Sequence, residues 1–186
     1  MPSRRQFLAS AGAALTMVGS AGCLGILDST QTGALQLKAL SLTWSVDGRT
    51  YRNEPIRLVF DHERNSLTGR YDPRVVGDSV GASGEVTVGE QRHEKLSPHF
   101  AVEYVLGVCG EDFATGDEVS GCRNTSTSRA DFNSVQVGDR PTVTLDDHEF
   151  AVESVDPDVY AVETTDINTF DFDAAFGDSG AAPEVP

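Results

Sequence analysis

His99-Phe100-Ala101-Val102-Glu103-Tyr104-Val105-Leu106-Gly107-Val108-Cys109 is the stretch from which the rest of the chain is best read. Phe100, Val102, Tyr104, Leu106 and Val108 recur at every second position, which places them on one face of a pleated strand directed at a core. Upstream, Leu35, Leu37 and Ala39 alternate in the same way. Leu40, Leu42, Trp44 and Val46 continue with the phase shifted by one, so a β-bulge is expected near Ala39. Asp47-Gly48 then supplies a hairpin turn whose return arm includes Tyr51. Further strands are expected at 56–61, 67–71, 85–88, 142–145, 149–155 and 159–164. Many short strands separated by turn residues specify an all-β domain. An antiparallel β-sandwich, Ig-like in general architecture, is the expected arrangement, and a closed antiparallel β-barrel is the alternative.

The 186 residues suit one core, and a hydrophobic fraction of 39% is enough to build it. Charge is the unusual global property, with 29 Asp and Glu against 14 Lys and Arg, a formal −15. Arg4 and Arg5 precede Cys23 and no acid does, so the remainder carries 12 basic and 29 acidic side chains, a formal −17. Lys38 and Lys95 are the only lysines. Such a surface stays hydrated when concentrated salt screens its self-repulsion. It also argues against nucleic acid as a partner, because phosphate binding requires clustered Lys and Arg.

At the N-terminus, Ser3-Arg4-Arg5-Gln6-Phe7-Leu8 precedes an apolar stretch rich in Ala and Gly, which ends at Ser20-Ala21-Gly22-Cys23. It is too short and too glycine-diluted for a spanning helix, which needs about 20 mostly apolar residues, and reads as a signal h-region. The arginine pair resembles a twin-arginine export signal and the small-residue triplet before Cys23 resembles a lipobox. Together they are similar to haloarchaeal secreted lipoproteins. The resemblance implies export in the folded state, cleavage after residue 22 and thioether lipidation of Cys23, holding the protein at the outer face of the cytoplasmic membrane. The organisation expected is a signal peptide at 1–22, a lipidated cysteine and flexible tether at 23–33, a β domain at 34–173 and a disordered tail at 174–186.

With Cys23 lipidated, Cys109 and Cys122 remain as an even pair in an oxidising exterior and are expected to form a disulfide. Twelve residues separate them, which favours a structural bridge over a catalytic dithiol and leaves no Cys-x-x-Cys for zinc. Asn124-Thr125-Ser126 satisfies the glycosylation sequon, in what reads as a polar loop beyond Cys122.

Gly77-Asp78-Ser79-Val80-Gly81 fits the G-x-S-x-G pattern, but no helix follows its serine as a nucleophile elbow requires. Gly177-Asp178-Ser179-Gly180 resembles a serine-protease nucleophile segment, yet only seven residues follow Ser179. Both read as turns. The triplets Asp61-His62-Glu63 and Asp147-His148-Glu149 make His62 and His148 candidate metal ligands if folding unites them, with charged hairpin turns as the simpler reading. No catalytic residue and no cofactor is expected. The function expected is a noncatalytic, membrane-tethered extracytoplasmic β domain that binds an envelope protein, a glycan or a solute. The alternative is a small extracytoplasmic enzyme or metal-dependent accessory factor.

Overall fold

The computed structural model describes residues 30–171 and Ala174. Arg4, Arg5, Cys23 and Ser179, with the signal and most of the expected tether and tail, lie outside the described residues. Among the described residues nine strands are formed: β1 (Gln31–Thr32), β2 (Ala34–Val46), β3 (Arg49–Asp61), β4 (Ser66–Tyr71), β5 (Ala101–Gly110), β6 (Gly121–Thr127), β7 (Arg140–Asp146), β8 (Glu149–Asp156) and β9 (Thr164–Thr169). They join one sheet in the order β1-β7-β8-β6-β5-β2-β3-β4-β9. The framework is all-β, and edge strands β1 and β9 do not pair with each other, so the barrel alternative is not realised.

Two pairings depart from the antiparallel expectation: β4 with β9 and β6 with β8 run parallel. Parallel neighbours need a long crossover, and β9 reaches β4 only after the chain has completed β5 to β8. Residues 157–163 make the last crossing. There Tyr160 N–H donates to the Gly138 carbonyl oxygen at 2.8 Å and its ring lies 6.5 Å from that of Phe60. A strand was expected at 159–164, but it starts only at Thr164. At the other edge, Gln31 and Thr32, read from sequence as tether, pair with Val143 and Thr142.

The β2–β3 hairpin turns at Asp47 and Gly48, with φ of 51° and 76°, the left-handed pair that such a two-residue turn requires. It sets Trp44 opposite Tyr51, their rings stacked 5.7 Å apart. The bulge expected near Ala39 lies instead at Gln36, the extra residue where Leu35 pairs with Val108 and Leu37 with Gly107. A second irregularity falls on β3, where Leu40 pairs with Ile56 and Leu42 with Asn53, leaving Glu54 and Pro55 between. From Lys38 to Trp44 the alternation is unbroken: Leu40, Leu42 and Trp44 join the main core, while Leu37 and Ala39 join Val105 in a small cluster on the opposite face.

The main core is covered by three short helices, α1 (Pro73–Val76), α2 (Glu90–Leu96) and α3 (Arg129–Ser134). Asp72 caps α1 by accepting from Arg74 N at 2.9 Å, with Pro73 at the first helical position. Ser128 caps α3 by accepting from Asp131 N at 3.0 Å. These caps deliver Val75, Val76 and Phe132 to the core, beside Leu96 of α2.

Residues 85–88, expected as a strand, enter no sheet. Val86 makes an isolated bridge to Val80, and side-chain amides serve its backbone and that of Val88 in place of a neighbouring strand. Asn133 accepts from Val88 N and donates to Val88 O, while Gln136 accepts from Val86 N and donates to Val86 O. Into this network projects Lys38, fully buried, whose Nζ donates to the carbonyl oxygens of Val86 (2.7 Å) and Val135 (2.5 Å) and to Gln136 Oε1 (3.1 Å). Three oxygens around a three-donor ammonium satisfy it without a direct carboxylate contact.

Candidate functional site

The outer face of the sheet carries one candidate site. Its floor is Leu37 and Val105, diagonal neighbours on β2 and β5. Its walls come from the same-face positions of the neighbouring strands. On β3, Arg52 and Glu54 are two residues apart, and the irregularity at Glu54 and Pro55 changes the phase so that Arg57 joins them. Arg52 Nη2 donates to Glu103 Oε2 at 3.0 Å and its Nε to the buried Ser41 hydroxyl at 2.7 Å, which fixes the guanidinium against the sheet. Arg57 Nη1 donates to Glu54 Oε2 at 2.8 Å.

Asn124, expected in a loop, lies on β6 opposite Gly107. A Cβ at Gly107 would stand 2.2 Å from Asn124 Oδ1 and 2.7 Å from Leu37 Cβ, so only glycine lets the Asn124 amide lie across the strand there. His148 closes one end. It occupies the β7–β8 turn with Asp147, at φ of 75° and 42°, and its carbonyl oxygen accepts from the Thr125 hydroxyl. The groove encloses about 440 Å³, within the ~300–1,000 Å³ typical of small-molecule sites. It offers guanidinium and amide donors, carboxylate acceptors and one imidazole over an apolar floor.

A second cleft, of about 490 Å³, lies beside β1 and contains His62, Glu63, Asp112, Arg140 and Tyr160. The His62 ring is 5.7 Å from that of Tyr160, Asp112 Oδ2 accepts from Thr32 N at 2.8 Å, and Arg140 is paired with Asp156 at 2.9 Å. His62 and His148 therefore line different clefts and are not brought together. Among the described residues no three His, Cys, Asp or Glu side chains converge as a metal site.

Comparison of the chain with family models, curated proteins and solved structures found no match. The chemistry of the clefts thus rests on their own residues.

Cys109 and Cys122 form a disulfide across directly paired positions of β5 and β6. The intervening loop is anchored by Phe113, buried against Phe150 with ring centroids 6.3 Å apart. Ser79 is buried, and its hydroxyl donates to the Val76 carbonyl oxygen at 2.6 Å in a short 3-10 turn, the turn role read from its sequence. His93 Nδ1 is 2.9 Å from the Tyr104 hydroxyl beneath α2, and burial pushes the Tyr104 phenol up to about 12. The groove's Arg52, Glu54, Arg57 and Glu103 were not singled out from sequence. Arg52 and Glu54 do alternate on one face of β3, but polar Asn53 lies between them and blurs the pattern.

Proposed function

We propose that this chain is a noncatalytic extracytoplasmic binding domain, tethered to the membrane through a lipid on Cys23, and that its outer-face groove engages a glycan. The observation carrying the reading is the groove itself, in which paired guanidinium and carboxylate groups, the Asn124 amide and the His148 imidazole surround the Leu37–Val105 floor. Guanidinium donors beside carboxylate acceptors, with an amide that does both, suit a ligand covered with hydroxyls, and the ion pairs hold the charged groups in place before binding. Location is supported by the twin-arginine and lipobox resemblance and by the acidity, which fits a salt-rich exterior. Six residues lie between Cys23 and Thr30, so the seven Cα steps from one to the other span at most about 25 Å and keep the domain near the membrane surface.

The test is binding of the full chain, in multimolar salt, to polysaccharide from the envelope of its source. Arg52→Ala and Glu103→Ala should each weaken retention while leaving the unfolding free energy within about 1 kcal/mol of the parent, the range of an exposed pair. Retention unchanged in both variants, or loss of retention only on protease treatment of the envelope fraction, would replace the glycan reading with another ligand.

A further inference from the structure

A third cleft lies between the turn at Gly77–Ser79 and α2, with a volume of about 240 Å³. That is below the ~300 Å³ where sites for whole drug-sized molecules begin, and it suits a single charged group. Its walls carry Arg92 and Lys95, three residues apart on α2 and hence on one face. In a chain with 29 acids and 14 basic residues, unpaired cations side by side are unexpected. Arg52, Arg57, Arg64, Arg74, Arg129 and Arg140 each pair with a carboxylate, whereas among the described residues Arg92 and Lys95, like Arg49, Arg70 and Arg123, pair with none, and of these Arg92 and Lys95 share one cleft.

The Arg92 guanidinium is held in place. Its Nη1 donates to the Val75 carbonyl oxygen at 3.3 Å, and its Nη2 lies 2.4 Å from where a Cβ on Gly77 would stand. Gly77 also has φ of 57°, so its lack of a side chain serves both the turn and the close approach. Glu90, on the same helix, is engaged by Arg129, leaving Asp78 as the acid that lines the cleft. Thr87 and Gln91 add neutral donors.

We propose that this cleft is a binding site for a phosphate group, free or carried as a monoester, received by the Arg92 guanidinium and the Lys95 ammonium. A planar fork and a mobile point charge on one side of a small cleft complement a tetrahedral oxyanion, and Arg92 needs no rearrangement to receive it. The site is separate from the outer-face groove and does not depend on the glycan reading.

The test is NMR titration of the isotopically labelled full chain with inorganic phosphate, with glycerol phosphate, and with chloride at matched ionic strength. Saturable shifts at Arg92 and Lys95 with either phosphate, absent with chloride, are expected; the tighter of the two identifies the source. Lys95 is exposed, so Lys95→Gln preserves the fold and should weaken phosphate about two- to fivefold, the range an exposed charge supplies. Asp78→Asn should tighten it by removing the nearby negative charge. No saturable shift, an equal shift with chloride, or unchanged affinity in Lys95→Gln would overturn the proposal.

Discussion

The Nζ of Lys38 lies 4.5 Å from the centre of the Phe132 ring, so the charge projecting from the middle of the sheet meets the aromatic face that α3 delivers to the core. This contact joins β2 to the covering layer, and the three oxygens of Val86, Val135 and Gln136 complete the cage. Burial pushes the Lys38 amine down to about 7, with the nearby Asp139 carboxylate opposing the shift.

That shift makes stability depend on pH. The folded value lies below the ordinary 10.5, so between about 7 and 10.5 the unfolded chain binds more protons and stability rises with pH. Below about 7 the amine is charged in both states and the burial cost is fully present. The total change is at most on the order of 5 kcal/mol. Above about 10 the raised Tyr104 phenol acts oppositely, since the unfolded chain then releases its proton first. Denaturant melts at pH 7, 8, 9 and 10 should show the rise, and Lys38→Met should remove it whatever its effect on absolute stability. A flat profile in the parent would contradict the assignment.

The disulfide should act on the loop before the sheet. Cys109 and Cys122 stand opposite each other near the end of the β5–β6 ladder, beyond which Phe113 fixes the loop to the core and Asp112 ties it to Gln31 and Thr32 of β1. Replacing both with Ser should cost on the order of 2–4 kcal/mol. Hydrogen exchange should rise first at 111–120, with the β2–β5 ladder still protected. Thiol counting in denaturant without reductant should find no free thiol at either position.

Salt should stabilise the fold. The segment after Cys23 carries a formal −17, and counter-ions weaken its self-repulsion as the screening length falls from about 10 Å at 0.1 M to about 3 Å at 1 M. Melting temperature measured from low to multimolar salt should climb. A constant or falling value would mean that repulsion does not limit stability.

The strands that alternate cleanly were legible in the sequence. Phe100, Tyr104, Leu106 and Val108 are in the main core with Val102 packed against it, and Asp47-Gly48 forms the expected turn. The misreading of β2 has a physical cause in Lys38. A lysine between Leu37 and Ala39 marks its own face as solvent, when that ammonium is inside and the two apolar residues are outside, under the groove's charged walls. β6 was missed because Gly121-Cys122-Arg123-Asn124-Thr125-Ser126-Thr127 has no large apolar residue. Its place comes from pairing with β5 on one side and with Glu149 and Phe150 on the other. The helix caps at Asp72-Pro73 and at Ser128 with Asp131 were readable locally, but helices of four to seven residues show no period. The outer-face groove was not legible, because the β2–β3 hairpin meets β5 and β6 only through the long-range pairing of β2 with β5.

Tethering at Cys23 underlies the functional reading, and mass spectrometry of the membrane-bound form tests it most directly. The N-terminal peptide should begin at Cys23 and bear a thioether-linked lipid, and Cys23→Ser should release the protein to the medium or leave unprocessed precursor. Lysines in place of Arg4 and Arg5 should block export. An unmodified Cys23 with residues 1–22 still attached would rule out the lipid tether.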